Sequence, residues 1–223
     1  MLLLTIIAVI YGTVILIQHH RDLGMFINRE VHPAQTSDEI KLIPQPKTAA
    51  EKIVNGAKRE ALRGVQYDAS YVRIPYPGGD VPADRGACTD VIIRALRSGG
   101  LDLQKLIHED MSAHFDLYPH KWGLRSPDPN IDHRRVPNHI AFLERFGKKL
   151  PVETTGEAAK TWEAGDLVYW DLGSGQTHCG IISNDRGAEG LPLVIHNIGP
   201  TVRQEDCLTS WKIIGHFRYP IHS

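Results

Sequence analysis

The chain opens on an almost unbroken apolar run, residues 2–17, interrupted only by Thr5, Gly12 and Thr13. Nothing in it is polar enough to form the outer face of a globular helix. Its length lies between a signal-peptide core and a short membrane span. No basic residue precedes the run, and no small-residue cleavage site follows it, since the chain continues Gln18-His19-His20-Arg21-Asp22. The expectation is an uncleaved N-terminal membrane anchor over residues 1–18, with a cleaved signal as the alternative. Residues 19–47 turn polar and carry Pro33, Pro44 and Pro46, the texture of a linker.

From residue 48 the pattern becomes periodic. Thr48 followed by Glu51 predicts a capping box opening a helix to about Leu62, with Gly64 as its stop and Ile53, Ala57 and Ala61 on one face. A long loop rich in Tyr, Pro and Gly then feeds a second helix that starts at Cys88 and ends at Gly99-Gly100. Helical spacing puts Cys88, Val91, Ile92 and Ala95 on one face and turns Arg94 and Arg97 away. A third helix follows Asp102, striped by Leu103, Leu106, Ile107, Met111 and Phe115. Asp110 and His114 fall inside that stripe, where each needs a partner. A structural Asp–His pair is expected there, and a metal site is the sharper alternative. Pro137 suits a helix start, with Ile140, Phe142, Leu143 and Phe146 forming its apolar side. Residues 102–150 read as a helical insertion.

After Trp162 the period changes. Short β-like runs at 166–170, 177–183, 193–198 and 211–219 are separated by Gly173-Ser174-Gly175 and Asn184-Asp185-Arg186-Gly187. Helices first and strands second predict an α+β domain over 48–223 with an antiparallel sheet. A hairpin symmetric about Gly187 sets His178 directly opposite His196, on one face, with Cys179 and Ile181 on the other.

Composition changes this picture little. Net charge is −1 over 223 residues, which gives no electrostatic footprint for nucleic acid. The three cysteines, at 88, 179 and 207, form neither a disulfide framework nor a zinc-type pair. His108-Glu109 lacks the second histidine of a zinc-protease helix, because residue 112 is Ser.

Candidate chemistry gathers at Cys88. A helix start supplies unpaired N–H groups and a positive dipole end, which favour a thiolate. If the Cys88 helix packs on the histidine-bearing face, the fold assembles a nucleophile, a base and an orienting group. The bland alternative is a buried structural cysteine with two satisfied core histidines. Arg134 and Arg135 have the guanidinium geometry to clamp a substrate carboxylate, or form a solvated or capping face instead.

Four stretches resemble, in order, the signatures of NlpC-type cell-wall peptidases: Ala87-Cys88-Thr89-Asp90, Gly165-Asp166-Leu167-Val168, Thr177-His178-Cys179-Gly180-Ile181 and Val194-Ile195-His196. Tyr76-Pro77-Gly78-Gly79 is similar to the Tyr-and-double-Gly loop before their cysteine. Over most of residues 50–220 the chain resembles the DUF1287 family more closely, through Gly79-Asp80-Val81-Pro82, His108-Glu109-Asp110-Met111 and Ile131-Asp132-His133-Arg134-Arg135-Val136-Pro137. The NlpC resemblance implies a papain-like fold, with Cys88 as nucleophile, His178 as base, His196 as its orienting residue and Tyr76 in substrate positioning or oxyanion stabilisation. It implies no cofactor and no metal. Ala87 and Asp90 depart from the usual Asp and Gly of the cysteine motif, and the Cys-to-His interval is stretched by the 102–150 block.

The expected function is a cysteine hydrolase cutting peptide amides, most plausibly in peptidoglycan or muropeptides. It would be held at the membrane by the N-terminal segment, on the periplasmic or cell-envelope side. Arg21 and Arg29 after the apolar run point instead to a cytoplasmic domain, and the two expectations conflict. An acyltransferase or thioesterase on the same scaffold, and a non-catalytic cell-wall-binding module, are the rival readings.

Overall fold

The computed structural model describes residues 34–220, so the apolar N-terminal run and its linker as far as residue 33 lie outside the described residues. No helix among the described residues is long and apolar enough to cross a membrane. They form a mixed α+β fold of four α-helices and a six-stranded antiparallel sheet.

Helix α1 (Ala49–Leu62) begins as its sequence predicts. The Thr48 side chain accepts from the Glu51 N–H while the Glu51 carboxylate accepts from the Thr48 N–H, and Gly64 follows at φ +62°. Two-residue strands β1 (Gln66–Tyr67) and β2 (Arg85–Gly86) pair in parallel and flank the long loop. Helix α2 (Cys88–Ser98) crosses α1 closely: a Cβ at Gly56 would stand 2.9 Å from the Ala95 Cα, so only glycine permits the approach. Arg94 does not point away, as its spacing suggests. It is buried, with Nε on Asp80, Nη1 on Glu60 and Nη2 on the carbonyls of Val81, Pro82 and Arg85. A polar stripe is thus used to fasten the loop that delivers Cys88.

Helices α3 (Leu103–Ala113) and α4 (Val136–Phe146) are not an appendage. Leu103, Ile107, Met111, Phe142 and Leu143 are buried in the same core as Ile92 and Leu96. Burial of each such side chain is worth roughly 1.5–3 kcal/mol, so the 102–150 block packs as part of the domain's core. Asp110 receives Arg145 through two 2.9 Å hydrogen bonds, Tyr118 at 2.7 Å and His114 at 3.0 Å. The Asp–His pair is part of this structural tie between α3 and α4.

The sheet runs β3-β8-β4-β5-β6-β7, from β3 (Lys148–Lys149), β4 (Leu167–Gly173), β5 (Gln176–Arg186), β6 (Pro192–His196), β7 (Arg203–Glu205) and β8 (Lys212–Arg218). Tyr169, Cys179, Ile181 and Ile195 meet the helices on one face. Val168, Trp170, Ile182 and Val194 meet Trp162, Cys207 and Leu208 on the other. Cys179 and Cys207 therefore lie on opposite sides of the sheet, and no disulfide joins any of the three cysteines.

Candidate active site

Cys88 is the first residue of α2 and is 9% exposed. The turn before it is laced to the far end of the sheet. Asn197, just beyond β6, donates through Nδ2 to the Gly86 carbonyl at 2.9 Å, and the Tyr67 N–H reaches the Pro200 carbonyl. On its helical side, Asp90 caps the Ala87 N–H at 2.6 Å and takes both arms of Arg134, each at 2.9 Å. Residues 87 and 90 thus act together. Ala87 has no side chain with which to cap, and Asp90 supplies the cap from inside the helix.

Helix α2 packs on the face of Cys179 and Ile181, not on the histidine-bearing face. His178 stands opposite Trp170 on the other face, with the two rings stacked 5.5 Å apart. Cys88 nevertheless meets His178, and the reason lies in the strand register. The β5–β6 ladder ends at Gly180↔His196. Past that point Cys179 and His178 are close enough to the Cys88 thiol to govern its titration. Hydrogen bonding from the Cys179 side chain, then the charge and hydrogen bond of His178, hold the Cys88 thiol well below its usual value despite burial. Burial, and the neighbouring Cys88, push the Cys179 thiol well above its own.

The expected register, with His178 opposite His196, is off by two residues. The hairpin turns about residue 189 rather than Gly187, with Arg186 opposite Pro192, and an irregularity between Ile182 and Arg186 takes back half of that offset, so His196 faces Gly180 instead. A shift of two preserves the face. The imidazoles remain neighbours, with His178 Nε2 and His196 Nδ1 2.8 Å apart. A Cβ at position 180 would stand 3.2 Å from the His196 Cβ and 2.6 Å from the Val194 methyl, so glycine leaves the room His196 occupies. Trp211 meets both imidazoles edge-on. On the far side, His196 Nε2 lies 3.3 Å from the Cys207 sulfur and 3.9 Å from a carboxylate oxygen of the fully buried Glu205.

His139 is a third imidazole in the neighbourhood, one whose titration feels Cys88. Its Nε2 meets the His133 carbonyl at 2.5 Å and its Nδ1 meets the Tyr169 hydroxyl at 3.3 Å. The carbonyl only accepts, so Nε2 carries the proton and Nδ1 receives the hydroxyl. With both nitrogens committed and burial lowering its pKa to about 4, His139 is a neutral structural ring, unsuited to act as base.

Other sequence candidates are placed elsewhere. Tyr76 packs on His108 with centroids 4.8 Å apart, and its loop is bound by Asp102, Gln104 and Arg97 at the far end of α2. Arg97, which fastens that loop, lies nine positions along α2 from Cys88, about 13 Å along the axis. Arg134 is buried and spends its guanidinium on Asp90 and the Ser70 carbonyl. Arg135 pairs with Asp132 at 3.0 Å and covers Trp122 at 4.0 Å. Neither is an open clamp. A hollow of about 160 Å³ lined by Asp68, Ser70, Val81, Arg85 and Arg134 adjoins the turn before Cys88. A cavity of about 680 Å³ is lined by Thr154, Lys160, Arg186, Glu189 and Thr209 and includes none of the three candidate catalytic residues.

Sequence reading missed Cys179, Asn197, Glu205 and Cys207. The buried Cys179 of β5 carried a signal, since it adjoins His178 on a strand already assigned. The other three depend on register and on the short strand β7, for which the sequence offers no periodic pattern.

Comparison with known proteins names no reaction. The family model described as "Domain of unknown function (DUF1287)" matches residues 54–219. An Escherichia coli (strain K12) protein described as "Uncharacterized protein YijF" is 46% identical over 193 residues, which is 83% of this chain and 93% of that protein.

Proposed function

The chain belongs to the DUF1287 family, and on the geometry of its Cys–His–His cluster we propose that it is a cysteine hydrolase of papain-like, NlpC-type design, acting on peptide amides of peptidoglycan. The observation that carries this reading is the sequence of contacts Cys88–His178–His196, with the thiol depressed at a helix start and the imidazole pair joined at 2.8 Å. A structural cysteine has no need of a lowered pKa, and a core histidine pair has no need of a thiol at the sheet margin.

In this mechanism the Cys88 thiolate attacks the amide carbonyl while the His178 imidazolium stands beside it. The Cys88 N–H, at the first helical position and without an intrahelical acceptor, faces the oxyanion. His178 protonates the leaving amine, then accepts a proton from the water that releases the acyl-enzyme. His196 holds the His178 ring through the 2.8 Å contact, and Trp170 stacks behind it. No cofactor enters this scheme. A cell-envelope location and membrane attachment through residues 2–17 belong to the same proposal, since peptidoglycan lies outside the inner membrane.

The test is incubation of the protein with purified peptidoglycan, with soluble products weighed by mass spectrometry. A mass gain of one water per cut stem peptide supports the hydrolase. Acyl transfer to an added amine or alcohol favours the transferase on the same scaffold. Retention on the wall without any product favours a binding module.

A further inference from the structure

We infer that Glu205 is the positioning residue that selects the working tautomer of the His196–His178 pair, an inference that rests on the proposed thiol chemistry of Cys88. Glu205 ends β7, pairs with Val194 on β6 and is fully buried. Paired residues share a face, and Val194 shares its own with His196 two residues on, so the carboxylate and the imidazole stand on the same side of the sheet. The geometry agrees: Glu205 Oε1 lies 3.9 Å from His196 Nε2. The same oxygen lies 3.8 Å from Nη1 of Arg203, which balances the buried charge.

A neutral imidazole carries one N–H, and the 2.8 Å contact between His178 Nε2 and His196 Nδ1 holds one proton between two nitrogens. Two arrangements satisfy it. In the first, His178 donates from Nε2, so its Nδ1 keeps a lone pair to take the proton of Cys88; His196 then bears its own proton on Nε2. In the second, His196 donates from Nδ1 and His178 bears its proton on Nδ1, leaving nothing to accept from the thiol. The choice is therefore made at His196 Nε2. A carboxylate there only accepts, so it favours N–H on Nε2 and opposes a bare lone pair. The Cys207 sulfur, 3.3 Å from the same nitrogen, can donate or accept and selects neither arrangement. When His178 takes up the thiol proton, the same carboxylate stabilises the positive charge through His196, as a buried Asp does behind the histidine of a serine-protease triad.

Two readouts that need no substrate test this. In the Cys88→Ala protein, long-range ¹H–¹⁵N spectra of the imidazoles should show both His178 and His196 protonated on Nε2, and Glu205→Gln in that background should admit the reverse pair. In the protein with its thiol, the alkylation rate of Cys88 at pH 6 should fall about tenfold in Glu205→Gln, as for one unit of thiol pKa, with the rate at high pH unchanged. Glu205→Asp should restore part of the loss, and Cys207→Ser should leave the profile as it is. Protonation of His196 on Nδ1 in the Cys88→Ala protein overturns the inference even if no Glu205 variant folds. An unaltered alkylation profile in folded Glu205→Gln overturns it equally. Failure to cut any peptidoglycan would count against the proposed hydrolase and leave both readouts intact.

Discussion

The carboxylate of Asp90 and the guanidinium of Arg134 meet through two hydrogen bonds of 2.9 Å, with both side chains almost wholly buried. The Thr89 hydroxyl also donates to the Arg134 carbonyl at 3.0 Å, so the second and third residues of α2 are fixed to the 132–134 turn. The pair joins the helix that carries the thiol to the wall built by residues 102–150.

Breaking such a pair from one side leaves a buried charge uncompensated, which costs about 3–5 kcal/mol. Arg134→Met should therefore lower the urea midpoint by that measure. Asp90→Leu together with Arg134→Met should recover much of it, because neither charge then remains. A substrate clamp would behave otherwise: KM would rise in Arg134→Met while the unfolding midpoint stayed in place.

The thiol pair leads to a second prediction. Cys179 provides the largest influence lowering the Cys88 thiol, while its own is pushed well up. Iodoacetamide near neutral pH should label Cys88 alone, as read by peptide mass. Cys179→Ala should move the Cys88 reactivity profile toward higher pH, since the thiolate loses a donor. The unfolded, unreduced protein should titrate three thiols. A Cys88 disulfide in the active form contradicts the mechanism.

Acid should weaken the fold through two histidines. Burial lowers His139 to about 4 and His133 to about 3, against an ordinary value of 6.5. Between these values the unfolded chain binds protons that the folded one refuses, so stability is whole above about pH 6.5 and is lost as pH falls toward 4. Each ring contributes on the order of a few kcal/mol. Buried Asp90 and Asp132, whose carboxyls are raised, act in the opposite sense. The comparison to make is therefore wild type against His139→Gln, which keeps an amide donor for the His133 carbonyl and removes the titration. Its unfolding midpoint should fall less steeply between pH 6.5 and 4.5. Parallel slopes would remove His139 from the account.

Much of this was legible because it is local. The Thr48–Glu51 cap, the helix start at Cys88 and the strands around His178 and His196 each follow from neighbours within a few residues. Arg94 misled because charge at an outward helical position is ordinarily solvated, and only the long loop from 79 to 85 gives it carbonyls to bind. The register was misjudged because the turn centres on residue 189 and not on Gly187, and the bulge before Arg186, which nothing in Asn184-Asp185-Arg186-Gly187 announces, recovers only half of that offset. The side of the sheet taken by α2 was misjudged for a different reason. A thiol was assumed to share a face with its base, yet β6 ends early enough for the two to meet at the margin.

Division of labour at the site gives the last prediction. Cys88→Ala removes the only group placed to form an acyl-enzyme, so turnover of a muropeptide should fall to background with binding kept. His178→Ala removes both the thiol's proton acceptor and the leaving amine's acid, and the loss should be nearly as complete. His196→Ala should cost less, roughly 10²-fold, because Trp170 still stacks on the His178 ring and it samples the productive orientation part of the time. His196→Asn should retain more than Ala, since an amide oxygen can accept from His178 Nε2. It should also be indifferent to Glu205→Gln, because the tautomer that the carboxylate selects no longer exists. The three losses should not add, as the residues work as one unit. Single- and double-mutant kinetics, with folding followed by thermal melts, decide the matter. Wild-type turnover in Cys88→Ala would end the thiol mechanism. Equal loss in His196→Ala and His178→Ala would mean that His196 takes part in proton transfer itself and does more than orient its neighbour.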